Sequence, residues 1–272
     1  MDRREFMRLS LAAGAMAFPS SCVKSPRVLA GDELKKRLVE TMKAKGAYDV
    51  RIADPRGFQH ALVAPNPFKV AAPLAIWPEC RSVVVVIVPF PPVLDNYLPV
   101  GQREDKDLRV YHPLTMRVMS HALPAGAHYL GTQGFKVIPS LRTSAGKLEV
   151  QSKLAAYESG LGVYGRSGLL LHRELGNRMV IMTLMTDAEL PPDAPDPFKT
   201  DCDDCGICNK TCRGKCYRAE LRYPESYTVT KCGYSRKEVL VKEGGLCQNC
   251  FVNCPAAKKS DQELTAWLQA RV

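Results

Sequence analysis

The chain has 272 residues, a formal net charge of +10 and a hydrophobic fraction of 46%. A chain of this length buries a core without disulfide staples, and its basic residues are scattered rather than gathered into the dense block of a nucleic-acid-binding arm. These features argue against a small disulfide scaffold and a nucleic-acid partner, and the chemistry is concentrated in eleven cysteines, nine of them from Cys202 onward.

At the N-terminus, Asp2 to Leu11 reads DRREFMRLSL, followed by a short Ala/Gly/Met stretch to Phe18. Adjacent Arg3 and Arg4 with Phe6 have the form of a twin-arginine export signal. The apolar stretch is too short to span a bilayer. Residues 1–30 are thus expected to be signal and linker, and the protein periplasmic or on the outer face of the cytoplasmic membrane. Cys22 follows Pro19-Ser20-Ser21 rather than an aliphatic lipobox; a lipid there would add peripheral membrane association.

Asp32 predicts the start of a helix through Leu34, Leu38 and Met42, which Gly46 ends. Tyr48 to Ala53 alternates like a strand, and Pro55 to Pro78 reads as a long proline-rich connection. Val83 to Val88, VVVVIV, has the β-branched continuity of a strand buried on both faces. Leu114 to Gly131 predicts a helix interrupted at Pro124, Phe135 to Ile138 a strand, Glu149 to Ser159 a helix, Leu169 to Leu171 a strand, and Arg178 to Met185 another. Helices on a mixed β-sheet, an α+β domain over residues 31–190, are the expectation. Asp187 to Pro197, with four prolines, leads to a second domain over residues 191–272.

Gly160, Gly162 and Gly165 spell G-x-G-x-x-G, but the dinucleotide fingerprint needs a strand before it and a helix after it, and the order here is reversed. The glycines call instead for a sharp turn or a close approach to something flat or bulky. The five histidines, His60, His112, His121, His128 and His172, show no ligand spacing and read as ordinary polar residues. Cys80, in an apolar setting, reads as a small buried residue.

Cys202, Cys205, Cys208 and Cys212 follow the C-x2-C-x2-C-x3-C run of bacterial ferredoxins, whose fourth cysteine ligates the other cluster of a pair. A second run is Cys247, Cys250 and Cys254 with Pro255 behind it, and Asn253 stands where its third cysteine would be. Paired C-x2-C groups also bind zinc, but a third thiol at the next two-residue interval is the ferredoxin arrangement. Two [4Fe-4S] clusters then interleave. Cys202, Cys205, Cys208 and Cys254 hold one; Cys212, Cys247, Cys250 and a late substitute hold the other. Cys232 is favoured over Cys216 as that substitute, because Cys216 follows Cys212 by only four residues. Two such clusters carry about four negative charges, and loss of residues 1–22 removes about one positive charge, so from +10 the mature holoprotein comes to about +5.

The segment GLGVYGRSGLLLHRELGNRMVIMTLMTDAELPPDAPDPF, Gly160 to Phe198, followed by CDDCGICNKTC, resembles the core of reductive dehalogenases and epoxyqueuosine reductases, which are corrinoid and iron-sulfur reductases. Upstream, IWPECRSVVVVIVPF resembles the opening of the epoxyqueuosine reductase cobalamin domain. The resemblance covers about residues 30 to 258 and implies a nitroreductase-like α/β domain followed by a ferredoxin-like two-cluster module. It further implies cobalamin or another corrinoid beside Gly160, Gly162, Gly165, Arg166 and Gly168, a low-potential electron donor and a small-molecule substrate. Epoxyqueuosine reductases have an aspartate where this chain has Ile138-Pro139-Ser140-Leu141-Arg142. Reductive dehalogenases use a tyrosine with a basic neighbour, for which Tyr129, Tyr157 and Tyr164 are candidates. Arg213 follows Cys212 where the family usually has proline. An electron-transfer protein with the same two clusters and no corrinoid is the alternative.

Overall fold

A computed structural model describes residue 29 and residues 31–60, 70–91, 113–140, 149–195, 198, 200, 202–217, 232 and 249–272. Arg3, Arg4, Cys22, His112 and Cys247 lie outside the described residues. Helix α1, Gly31–Ala44, places Leu34, Leu38 and Met42 on one fully buried stripe, as the fourth-residue recurrence of apolar side chains requires. Gly46 follows at a φ of +99°, which glycine adopts without a Cβ penalty.

The central sheet runs in the order β1, β3, β8, β4, with β1 Asp49–Ala53, β3 Ser82–Pro89, β4 Val137–Ser140 and β8 Met179–Thr186. All eight residues of β3 are buried. Its even-numbered valines, Val84, Val86 and Val88, join α1 and helix α3, Pro113–Thr132, in one core. Val83, Val85 and Ile87 face the other way, onto helix α4, Ser152–Glu158, with Phe58, Leu161 and Leu175. The valine run is thus covered on both faces. Each pairing in this sheet is antiparallel, which corrects the expected mixed sheet. Burial on two faces dictates β-branched residues whichever way the neighbours run, so composition is silent on direction. Parallel pairing is found in a separate two-stranded sheet, β2 Val70–Ala71 with β5 Glu149–Val150.

That pairing also shortens two expectations. Glu149 and Val150 are strand, and α4 begins only at Ser152. The connection from Pro55 to Pro78 holds a 3-10 turn at Gly57–His60, β2, and a short helix α2 at Pro73–Ile76 with proline in its first turn, where the missing N–H is no loss. Helix α3 runs unbroken through Pro124. Pro124 is exposed, while Val118, Ala122, Leu123 and Leu130 on either side are buried; packing on both flanks outweighs the lost backbone bond. Cys80 is 4% exposed and its thiol donates to the Ser82 carbonyl.

Beyond β8 the chain passes along the outer edge of β1. Asp193 donates its N–H to the Ile52 carbonyl and accepts the Ile52 N–H on Oδ2, both at 2.8 Å, and its Oδ1 meets Lys35 Nζ at 2.8 Å. An otherwise open strand edge is closed by one aspartate. The last helix, α8 Asp261–Gln269, opens with a full capping box between Ser260 and Glu263. Leu264 enters the core on the α4 side and Leu268 the core on the α1 side, both fully buried.

Candidate metal centre

Two short helices, α5 Cys202–Cys205 and α6 Ile207–Thr211, are joined by Gly206 at a φ of +60°. This left-handed turn folds the first cysteine run back on itself, as only glycine does cheaply. Cys202, Cys205, Cys208 and Cys254 line one cavity of about 260 Å3 with Leu171, Phe198 and Ile207. The fourth thiol comes from behind helix α7, Asn249–Val252. Burial, and then the neighbouring Cys202, push the Cys208 thiol up to about 11. Burial also raises Cys254, while the Arg178 charge pulls the other way. Thiols packed this way keep their protons unless a metal replaces them.

A second group forms around Cys212. The Cys216 N–H donates to Cys212 Sγ at 3.4 Å, and the Cys216 thiol, 2% exposed, is raised by burial and by contact with Cys212 and Cys232. Cys250 and Cys232 both act on the Lys153 ammonium, whose pKa is lowered by desolvation and held back by these two thiols. Among the described residues no three His, Cys, Asp or Glu side chains converge on a single-ion site. A cubane instead spreads its thiolates over four irons, so separated thiols around one apolar cavity are a donor set of the kind it needs.

Against the first group packs a hairpin of β6, Val163–Tyr164, and β7, Leu170–Leu171. At its tip the Arg166 N–H donates to Cys202 Sγ at 3.2 Å. A Cβ on Gly165 would lie 3.3 Å from the same sulfur, and one on Gly162 would meet the Leu171 carbonyl at 2.5 Å. Gly162 is therefore required by the hairpin itself. Gly168, at a φ of +67°, accepts from Lys153 Nζ at 2.7 Å. Gly160, at a φ of +73°, lines a separate polar cavity of about 480 Å3 with Lys43, Arg51, His172 and Arg173.

Of the three tyrosines, Tyr129 packs in the α1 core with its hydroxyl buried and unpartnered among the described residues. Tyr157 of α4 meets Tyr164 of β6 with ring centroids 5.6 Å apart and the planes tilted by 39°. Tyr157 follows Lys153 by one helical turn on α4, so the two share a face. Ile138 to Ser140 forms the edge strand β4 against β8 and contains no acid. His121 and His128 are on the exposed side of α3. His172 is different. Its Nδ1 accepts the N–H groups of Glu174 and Leu175 at 3.2 Å each, and burial lowers its pKa below 6.5.

Since native His172 resists a proton that the unfolded chain accepts, stability is complete above 6.5 and declines as pH falls toward the lowered native value. Urea midpoints measured from about pH 8 down to about pH 5 are expected to show this decline, and His172→Asn to flatten it. An equally steep decline in the variant would refer it to other groups.

Spacing announced the cysteines, but not Lys153, His172 or Arg178. Arg178, 5% exposed, donates to the Val252 carbonyl at 2.8 Å and to the Phe251 carbonyl, and meets Asp261 at 3.3 Å. No local pattern marks a lone arginine as a brace for a segment seventy-odd residues away.

No family model matches the sequence. Tetrachloroethene reductive dehalogenases of Desulfitobacterium hafniense and Dehalobacter restrictus are 32% identical over 114 residues, which take in 36% of this chain and 21% of theirs. The match thus spans about a fifth of those relatives' length. Among solved structures, an epoxyqueuosine reductase bound to a tRNA-Tyr stem loop superposes with a TM-score of 0.59 at 18% identity, over 87% of this chain and 68% of that one. A reductive dehalogenase studied for B12-dependent dehalogenation gives a TM-score of 0.52 at 18% identity, over 82% of this chain and 32% of that one. The fold is thus the helix-covered antiparallel sheet that these reductases share. Over those 114 residues the sequence is similar to the tetrachloroethene reductive dehalogenases, and over most of its length the fold is similar to epoxyqueuosine reductase and reductive dehalogenase structures.

Proposed function

We propose that the protein is an exported iron-sulfur oxidoreductase whose two [4Fe-4S] clusters pass electrons to a corrinoid that reduces a small molecule. The observation that supports it is the assembly of thiols from both cysteine runs around one cavity, with the tip of the glycine hairpin donating an N–H to one of them. Cys202, Cys205, Cys208 and Cys254 hold one cluster, and Cys212, Cys232, Cys247 and Cys250 the other. Cys216, whose backbone N–H is directed at Cys212 Sγ, supports a ligand rather than acting as one.

When bound, a corrinoid supplies a strongly nucleophilic, low-potential cobalt, and four-iron clusters reach the potentials needed to reduce it. The protein's own residues position it, exclude water and deliver a proton. Gly160, Gly165, Arg166 and Gly168 are its proposed neighbours, and Gly162 shapes the hairpin that presents them. Tyr157, beside Lys153, is the proposed proton donor. A low-potential carrier reloads the clusters outside the cytoplasm, an arrangement that rests on Arg3 and Arg4. Among the described residues no helix is long and apolar enough to cross a membrane.

The close approach of Gly162 to the Leu171 carbonyl favours a second reading, an electron-transfer protein with both clusters and no corrinoid, because the glycine needs no macrocycle to explain it. Anaerobic purification followed by iron, cobalt and visible-spectrum analysis separates the two. The first reading expects about eight irons per chain and one corrinoid bound or taken up on addition. Eight irons with no corrinoid under either condition leave the second.

A further inference from the structure

The segment that delivers Cys254 is gripped from two sides by the stretch following β7. On one side, Lys258 donates its N–H to the Glu174 carbonyl at 2.9 Å. Gly176, at a φ of +53°, lies so close that a Cβ there would be 2.4 Å from the Ala257 nitrogen. On the other side, Asn177 Nδ2 donates to the Phe251 carbonyl at 3.1 Å. The Arg178 guanidinium takes the Phe251 and Val252 carbonyls together and stacks over the Phe251 ring at 4.8 Å. These carbonyls close the last turn of α7, where helix C-termini expose unpaired acceptors and favour a cation. Asp261, the first residue of α8, holds the guanidinium from behind.

We infer that Arg178 is a positioning residue for iron-sulfur ligation, fixing Cys250 and Cys254 in register and setting the reduction potential of the cluster at Cys254. The inference rests on the two-cluster reading. Under the interleaved assignment those two thiols serve different clusters, so one buried guanidinium braces a ligand of each. Its fork satisfies two carbonyls at once, which a lysine ammonium cannot reproduce. Its charge favours the more negative, reduced state of a nearby cluster.

The test compares Arg178→Met and Arg178→Lys in the full chain with two readouts. In the iron-loaded protein, redox titration followed by paramagnetic resonance should show the Cys254-side signal of Arg178→Met shifted toward the oxidised form by roughly tenfold, about 59 mV for a one-electron couple. Arg178→Lys should keep most of that potential. In the iron-free protein, alkylation of Cys250 and Cys254 read by mass spectrometry should quicken several-fold in both variants, with Cys202 and Cys205 unchanged. Unaltered potential and unaltered alkylation in a folded Arg178→Met protein would overturn the inference. If that variant does not fold, Arg178→Lys decides, since it keeps the charge and loses the fork; no quickening at Cys254 there would likewise overturn it. A wild-type chain that takes up no iron defeats the cluster reading, whereas the alkylation comparison still judges the brace.

Discussion

Cys254→Ser is expected to abolish the cluster held by Cys202, Cys205 and Cys208, some fifty residues upstream, and to lower iron content by about half. Sequence proximity would assign that loss to Cys250 instead. The cavity that contains Cys254 holds three of the first run's four thiols, Cys202, Cys205 and Cys208, so the surviving paramagnetic signal should be that of the Cys212 group. Cys232→Ser should remove the other cluster, again about half of the iron, while Cys216→Ser leaves both. Survival of the first cluster in Cys254→Ser, or loss of a cluster in Cys216→Ser, would break the interleaved assignment.

Gly176→Ala should be among the most damaging single-methyl changes in the chain. The position has a φ of +53°, and the added carbon would overlap the backbone of Ala256 and Ala257 at 2.4 to 2.7 Å. Backbone cannot step aside as a flexible side chain can. A left-handed alanine costs about 1–2 kcal/mol, and the overlap takes the total to roughly 3 kcal/mol. Because the displaced segment carries Cys254, iron retention should fall with the urea midpoint. Gly131→Ala, in α3 with nothing within 4 Å of the new carbon, should instead stabilise by about 0.5–1 kcal/mol. Equal effects at the two sites would mean that the Gly176 contact is not held in solution.

Patterns that depend on nearest neighbours along the chain were legible. The α1 stripe and the VVVVIV strand follow from periodicity and β-branching, and the cysteine intervals from the reach of thiols around a cluster. What depends on distant partners was not. The orientation of β3 against β8 leaves no mark on which residues must be apolar, and Pro124 reads as a break until the packing on both flanks is known. Val150 belongs to a strand only because β2 arrives beside it. The C-terminal helix is legible too, since Ser260 and Glu263 form the S-x-x-E start signal before Leu264. Of the glycines expected beside a macrocycle, Gly162 has a nearer cause in the Leu171 carbonyl. Lys153 and Arg178 emerge only when folding brings α4 and β8 against the thiol segments.

Helix α8 changes what kind of object the cysteine-rich part is. With Asp193 tied to β1 at one end and Leu264 and Leu268 built into the two halves of the core at the other, the thiol-bearing chain is tethered twice, like a handle on a cup. Removing it would take away core leucines as well as ligands. Conversely, protein contacts alone anchor both ends of the handle, which keeps widely separated cysteines within reach of one another and shortens the search that iron loading requires.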